Sequence, residues 1–85
     1  MEKLTHIHRE ILRRMFVHHY IGGCHTDEKN VIKFLPKHER GVGKDALEDL
    51  IKWGFVMEKV TGYGRHVSLN PRAISEVHAI LAEEQ

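Results

Sequence analysis

The chain has one cysteine, two prolines, six aromatic residues and no long apolar run among its 85 residues. With Cys24 alone there is no internal disulfide, so a cystine-stapled secreted scaffold is excluded and a structural zinc site would depend almost wholly on histidine. Without an apolar stretch long enough to span a bilayer, or a charged-then-apolar leader, the chain reads as cytoplasmic, with no membrane partner. The few aromatics form no row on which bases could stack, which argues against single-stranded RNA. Neither charge dominates: 13 Lys and Arg against 12 Asp and Glu give a net charge of +1. Any nucleic-acid affinity must therefore come from how the charges are distributed.

Hydrophobic residues make up 41% and charged residues 29%, as in an ordinary globular domain. The length allows a single domain over 1–85 with one small core and little room for a substrate pocket, so an enzyme is disfavoured. Between Thr5 and Tyr20, Ile7, Ile11, Leu12, Met15 and Phe16 recur at helical spacing, predicting a first helix that Gly22 and Gly23 would end. Thr26 looks like the N-cap of a second helix, Asp27 to Leu35, which Pro36 stops. After the polar link KHERGVG, the residues Ala46, Leu47, Leu50 and Ile51 predict a third helix from Lys44 to Trp53, ended by Gly54.

The period then changes from helical to extended. FVMEKV (55–60) and RHVSLN (65–70) are rich in β-formers, and TGYG between them is turn chemistry, so they predict a hairpin. Asn70-Pro71 reads as a cap and first position of a last amphipathic helix through Ala73, Ile74, Val77, Ile80 and Leu81. Leu12, Leu35, Leu47, Leu50, Ile51, Phe55, Val67 and Leu69 are the expected core, with Trp53 closing its edge.

In this order of elements, residues 5–70 resemble a winged helix-turn-helix domain of the small prokaryotic kind. ALEDLIKWGFVMEKVTGYGRHVSLNP carries the resemblance: L-x-x-L-I-x-x-G-F-V is similar to the passage from recognition helix into the first wing strand, and T-G-Y-G to a wing tip. The resemblance implies an α+β fold with a three-helix core, a two-stranded β-hairpin wing and a C-terminal helix over 71–85 that pairs two subunits. It also implies a partner, double-stranded DNA, with the third helix in the major groove and the hairpin on flanking backbone.

On that reading Lys37, Arg40, Lys44 and Lys52 hold phosphates around the third helix, with Lys44 and His38 best placed to approach bases. Lys59, Tyr63, Arg65 and His66 form the wing contact. Against it, the third helix sets Asp45, Glu48 and Asp49 against Lys44 and Lys52, and acids repel phosphate. The DNA reading requires Asp45 and Glu48 to pair with neighbours such as Arg40 and Lys52. The alternative is a winged-helix module that binds another protein. A homodimer would use Val17, Tyr20, Ile80 and Leu81 on the first and last helices.

HHYIGGCH (18–25) gathers three histidines and the cysteine. Consecutive His18 and His19 diverge on a helix, and neither C-x-x-C nor H-E-x-x-H is present, so the stretch reads as a turn without a metal, unless Cys24 and His25 find a distant histidine. His8 and His78 are expected at the core edge. Cys24 and His25, adjacent in a turn, make a poor nucleophile pair. Gly41-Val42-Gly43-Lys44 lacks the full phosphate-loop pattern. No catalytic residue and no cofactor is assigned.

Overall fold

In the computed structural model, which describes residues 4–83, the chain is an α+β domain of four α-helices and one three-stranded antiparallel sheet. The elements are α1 (His6–Val17), β1 (Thr26–Asp27), α2 (Glu28–Ile32), α3 (Arg40–Lys52), β2 (Val56–Thr61), β3 (Gly64–Leu69) and α4 (Ile74–Ala82). Short 3₁₀ turns at Lys37–Glu39 and Pro71–Ala73 lead into α3 and α4.

Helix α1 starts with a reciprocal cap. The Thr5 hydroxyl accepts from the His8 N–H, and His8 Nδ1 accepts from the Thr5 N–H at 2.9 Å. Since Nδ1 is an acceptor, the ring carries its hydrogen on Nε2 and donates it to Asp49 Oδ2 of α3 at 3.0 Å. His8 is buried and its ring lies 5.0 Å from that of Trp53, so a core-edge histidine joins the first helix to the third. His78, expected in a similar position, is exposed on α4 beside Phe16.

The sequence placed the end of α1 three residues too late. Tyr20 N–H reaches the Met15 carbonyl and His19 N–H the Phe16 carbonyl, the two bonds of a Schellman cap, and His19 takes the left-handed position with φ 59°. Gly22 and Gly23 form instead a turn after Ile21, which bridges Leu69 of β3: Gly22 N–H donates to the Leu69 carbonyl and Leu69 N–H to that of Tyr20. Helix α3 ends in the same motif: Phe55 N–H bonds the Leu50 carbonyl, Gly54 N–H that of Ile51, and Gly54 is the residue at positive φ, as the sequence predicted.

Strand β1 was not legible in the sequence. Thr26 is not a helix cap: it lies opposite Val67 in the sheet, buried, with its hydroxyl accepting from the Asn30 amide. Asp27 caps α2 through the Lys29 N–H and lies opposite His66. The sheet order is β1-β3-β2. Helix α2 is shorter than expected, because Arg40 donates to the Leu35 and Lys33 carbonyls and turns the chain after Ile32. Helix α3 correspondingly starts four residues early, and Gly43 lies within it against the Leu35 side chain.

Alternation along β3 turns Val67 and Leu69 onto the helices, where they meet Ile11, Leu12, Met15, Leu47, Leu50 and Val77 in one core. The expected core residues are buried there, except that Ile51, like Trp53, packs half-buried at the rim. Asn70 caps the turn into α4, as the sequence predicted.

Candidate nucleic-acid interface

Helix α2, with Lys33 after it, and the first three turns of α3 line a groove of about 530 Å³. Its floor is Ile32; Lys29, Lys33, Arg40 and Lys44 supply cationic groups, and Glu28, Asp45 and Glu48 anionic ones. Lys29, Lys33 and Lys44 are exposed, as are Lys37 and His38 on the adjoining turn and Lys52 further along α3. None of these lysines makes an ion pair among the described residues. His38 lies 3.6 Å from Glu39.

The arginines are arranged differently. Arg40, expected to hold a phosphate or neutralise Asp45, instead satisfies the two carbonyls at the end of α2. Arg65, expected on the DNA side of the hairpin, shares the helix-facing side of β3 with Val67 and Leu69. There it donates to three carboxylates: Glu28 of α2 at 2.8 Å, Glu58 of β2 at 3.2 Å and Glu48 of α3. Its side chain is only 18% exposed. The Glu48 carboxyl is held below its ordinary value mainly by the hydrogen bond from Arg65, and the guanidinium is held more firmly protonated in return. Glu48 is thus neutralised by Arg65 rather than by Lys52, and Asp49 is occupied by His8. The Arg65–Glu48 and His8–Asp49 pairs have one cause: side chains 17 and 41 residues apart in sequence become neighbours only when the hairpin and α1 pack on α3.

The hairpin turn leaves Tyr63 97% exposed and Val60 79% exposed, with Lys59 also in solvent. Thr61 Oγ1 pins the turn by donating to the Gly64 carbonyl at 2.7 Å and accepting from the Tyr63 N–H. His66 lies on the opposite face of β3 from Arg65, and its Nδ1 is 2.9 Å from Nδ1 of His25.

The structure therefore brings Lys37, His38 and Lys44 together at the start of α3 and places Lys59 and Tyr63 on the hairpin, while Arg40 and Arg65 have internal partners. Lys29 and Lys33 were missed, although their spacing on a short predicted helix beside the third could have suggested them. In HHYIGGCH, His18 stacks on Tyr20 and Phe34 while Cys24 is exposed. No three His, Cys, Asp or Glu residues among the described ones are grouped to hold a metal ion. No helix among the described residues is long and apolar enough to cross a membrane.

Comparison with models of protein families, with curated proteins and with solved structures finds no match to this chain.

Proposed function

We propose that this chain is a winged helix-turn-helix protein that binds double-stranded DNA and acts as a small transcriptional regulator. The element order helix, strand, helix, helix, hairpin, with the first strand paired to the last, supports the winged-helix reading suggested by ALEDLIKWGFVMEKVTGYGRHVSLNP. The observation that carries the function is the set of exposed lysines without ion pairs among the described residues, Lys29, Lys33, Lys37 and Lys44, around the start of α3. Flexible ammonium groups that no carboxylate holds suit phosphate contacts that orient a helix in a groove without reading sequence. Lys52 and Lys59 extend the set towards the hairpin, whose exposed Tyr63 lies against flanking backbone in this reading. Two subunits would pair through α1 and α4, where Val17 is 61% exposed.

Titrating salt against binding to random-sequence duplex DNA, followed by fluorescence anisotropy, tests this. Each phosphate contact contributes about 0.9 to the slope of log affinity on log salt, so Lys44→Ala and Lys37→Ala should each flatten it by about one unit. Absence of binding at low salt overturns the DNA reading.

One arrangement favours a second reading, a protein-binding winged helix. Glu28, Glu48 and Glu58 together outnumber Arg65, while Val42, Val60 and Tyr63 are exposed nearby on α3 and the hairpin. Failure on DNA with retention of a partner protein that Tyr63→Ala releases would select it.

A further inference from the structure

On the sheet face away from the helices, the chain brings together two imidazoles that are 41 residues apart in sequence. His25 immediately precedes β1, and the pairing of Thr26 with Val67 and Asp27 with His66 fixes it beside the middle of β3. The two Nδ1 atoms share a hydrogen bond at 2.9 Å, one ring donating and the other accepting, and the rings are tilted by 58° with centroids 4.9 Å apart. The rings therefore face each other through their nitrogens rather than through their π surfaces. A cavity of about 400 Å³ opens over the pair, its rim formed partly by Gly22 and Gly23, which carry no side chain to cover it.

We infer that His25 and His66 form a binding site for a late first-row divalent metal ion, with Cu²⁺ preferred. Imidazole nitrogen is a good donor to these ions, with metal–nitrogen distances of about 2.0–2.1 Å. The ion takes the place of the hydrogen shared by the two rings, which is released as a proton, and two nitrogens kept 2.9 Å apart then subtend about 90° at it, the angle between neighbouring positions of tetragonal or octahedral coordination. Tetrahedral Zn²⁺ requires the nitrogens to spread to about 3.3 Å, so geometry and the general affinity order both put Cu²⁺ ahead of Zn²⁺. The chain supplies two ligands, and water in the open cavity fills the remaining positions. No third His, Cys, Asp or Glu among the described residues completes the set: Cys24 is not part of the cavity wall, and Glu58, which is, has its carboxylate paired with Arg65.

The surrounding charges bear on affinity. Lys59 of β2 lies opposite His66 and lines the cavity, while Asp27 of β1 lies opposite His66 on the other side. The ammonium opposes the incoming cation, and the Asp27 carboxylate offsets it. An ion held here joins the segment before β1 to the hairpin and thereby stabilises the sheet, whether or not the chain binds DNA.

Calorimetric titration of the whole chain with Cu²⁺, Ni²⁺ and Zn²⁺ in a non-chelating buffer tests the assignment, with melting curves alongside. One equivalent of Cu²⁺ should bind, more tightly than Zn²⁺, and raise the melting temperature. His25→Ala and His66→Ala should each weaken that equivalent by about tenfold or more, and Lys59→Ala should strengthen it. His78→Ala, on distant α4, should leave it unchanged. His25→Phe and His66→Phe keep ring volume without a donor and give the same loss should an alanine variant fail to fold. Undiminished Cu²⁺ binding in the His25→Phe/His66→Phe double variant, or no saturable first equivalent in the unaltered chain, overturns the site. Neither result bears on DNA affinity.

Discussion

Arg65 of β3 donates to Glu28 of α2 across 2.8 Å, and this bond fixes the hairpin against the helix that precedes α3. Because Glu48 of α3 and Glu58 of β2 share the same guanidinium, one side chain joins all three parts of the proposed DNA-binding surface. Its planar fork of donors suits several carboxylates at once, which a single ammonium does not.

Replacing Arg65 by alanine leaves three carboxylates facing one another. The loss should be about 2 kcal/mol, between the values for exposed and buried ion pairs, because the guanidinium is mostly covered while Glu48 is not. Urea denaturation at neutral pH measures it, and Arg65→Lys should recover only part. An unchanged midpoint would mean that the cluster contributes nothing to holding the hairpin.

Acid should act on the same cluster. In the folded chain Glu48 binds its proton less readily than in the unfolded chain, because Arg65 stabilises the carboxylate. Its contribution is complete above the ordinary value of 4.5 and fades as pH falls through the lower folded value. With the carboxylate 58% exposed, the contribution is below about 1 kcal/mol. Urea midpoints between pH 6 and pH 3 should therefore decline less steeply in Glu48→Gln than in the unaltered chain.

His19 holds the left-handed position at the end of α1 that glycine occupies at the end of α3. A side chain there is strained, and glycine relieves the strain while making the unfolded chain more flexible. His19→Gly should stabilise the fold by about 0.5–1 kcal/mol. Thermal melts decide it; a lower melting temperature would show that the imidazole makes a compensating contact.

Gly43 and Gly41 share a helix but not an environment. A Cβ on Gly43 would collide with the buried Leu35 Cδ1, whereas one on Gly41 meets nothing within 4 Å. Overpacking outweighs the better helix propensity at the first position, so Gly43→Ala should destabilise by about 1–2 kcal/mol. Gly41→Ala should stabilise by about 0.5 kcal/mol. Opposite signs in chemical denaturation are the expected result.

The helices and the hairpin were legible because their signals are local: apolar residues recur every three or four positions in α1 and α3, and Gly54 and Asn70 mark chain reversals by their own chemistry. Boundaries set by a distant partner were not. The end of α2 depends on Arg40 reaching back to two carbonyls, and β1 is two residues whose strand character exists only beside β3. For the candidate site, the lysines at 37, 44, 52 and 59 were identified from charge and position and are exposed as that reading requires. Arg40 and Arg65 carry the same charge and were placed with them, but charge alone does not say whether a cation faces solvent or an internal carboxylate.

What the sequence determined by itself is the set of helices, the hairpin, most of the core and the absence of an internal disulfide, since each follows from residue type and near-neighbour spacing. Tertiary structure alone decided that Arg65 neutralises three glutamates, that His8 is committed to Asp49, and that His25 meets His66. Electrostatic and donor chemistry depends on distance in space. Pairs 17 to 41 residues apart acquire that distance only when the sheet closes and the helices pack on it.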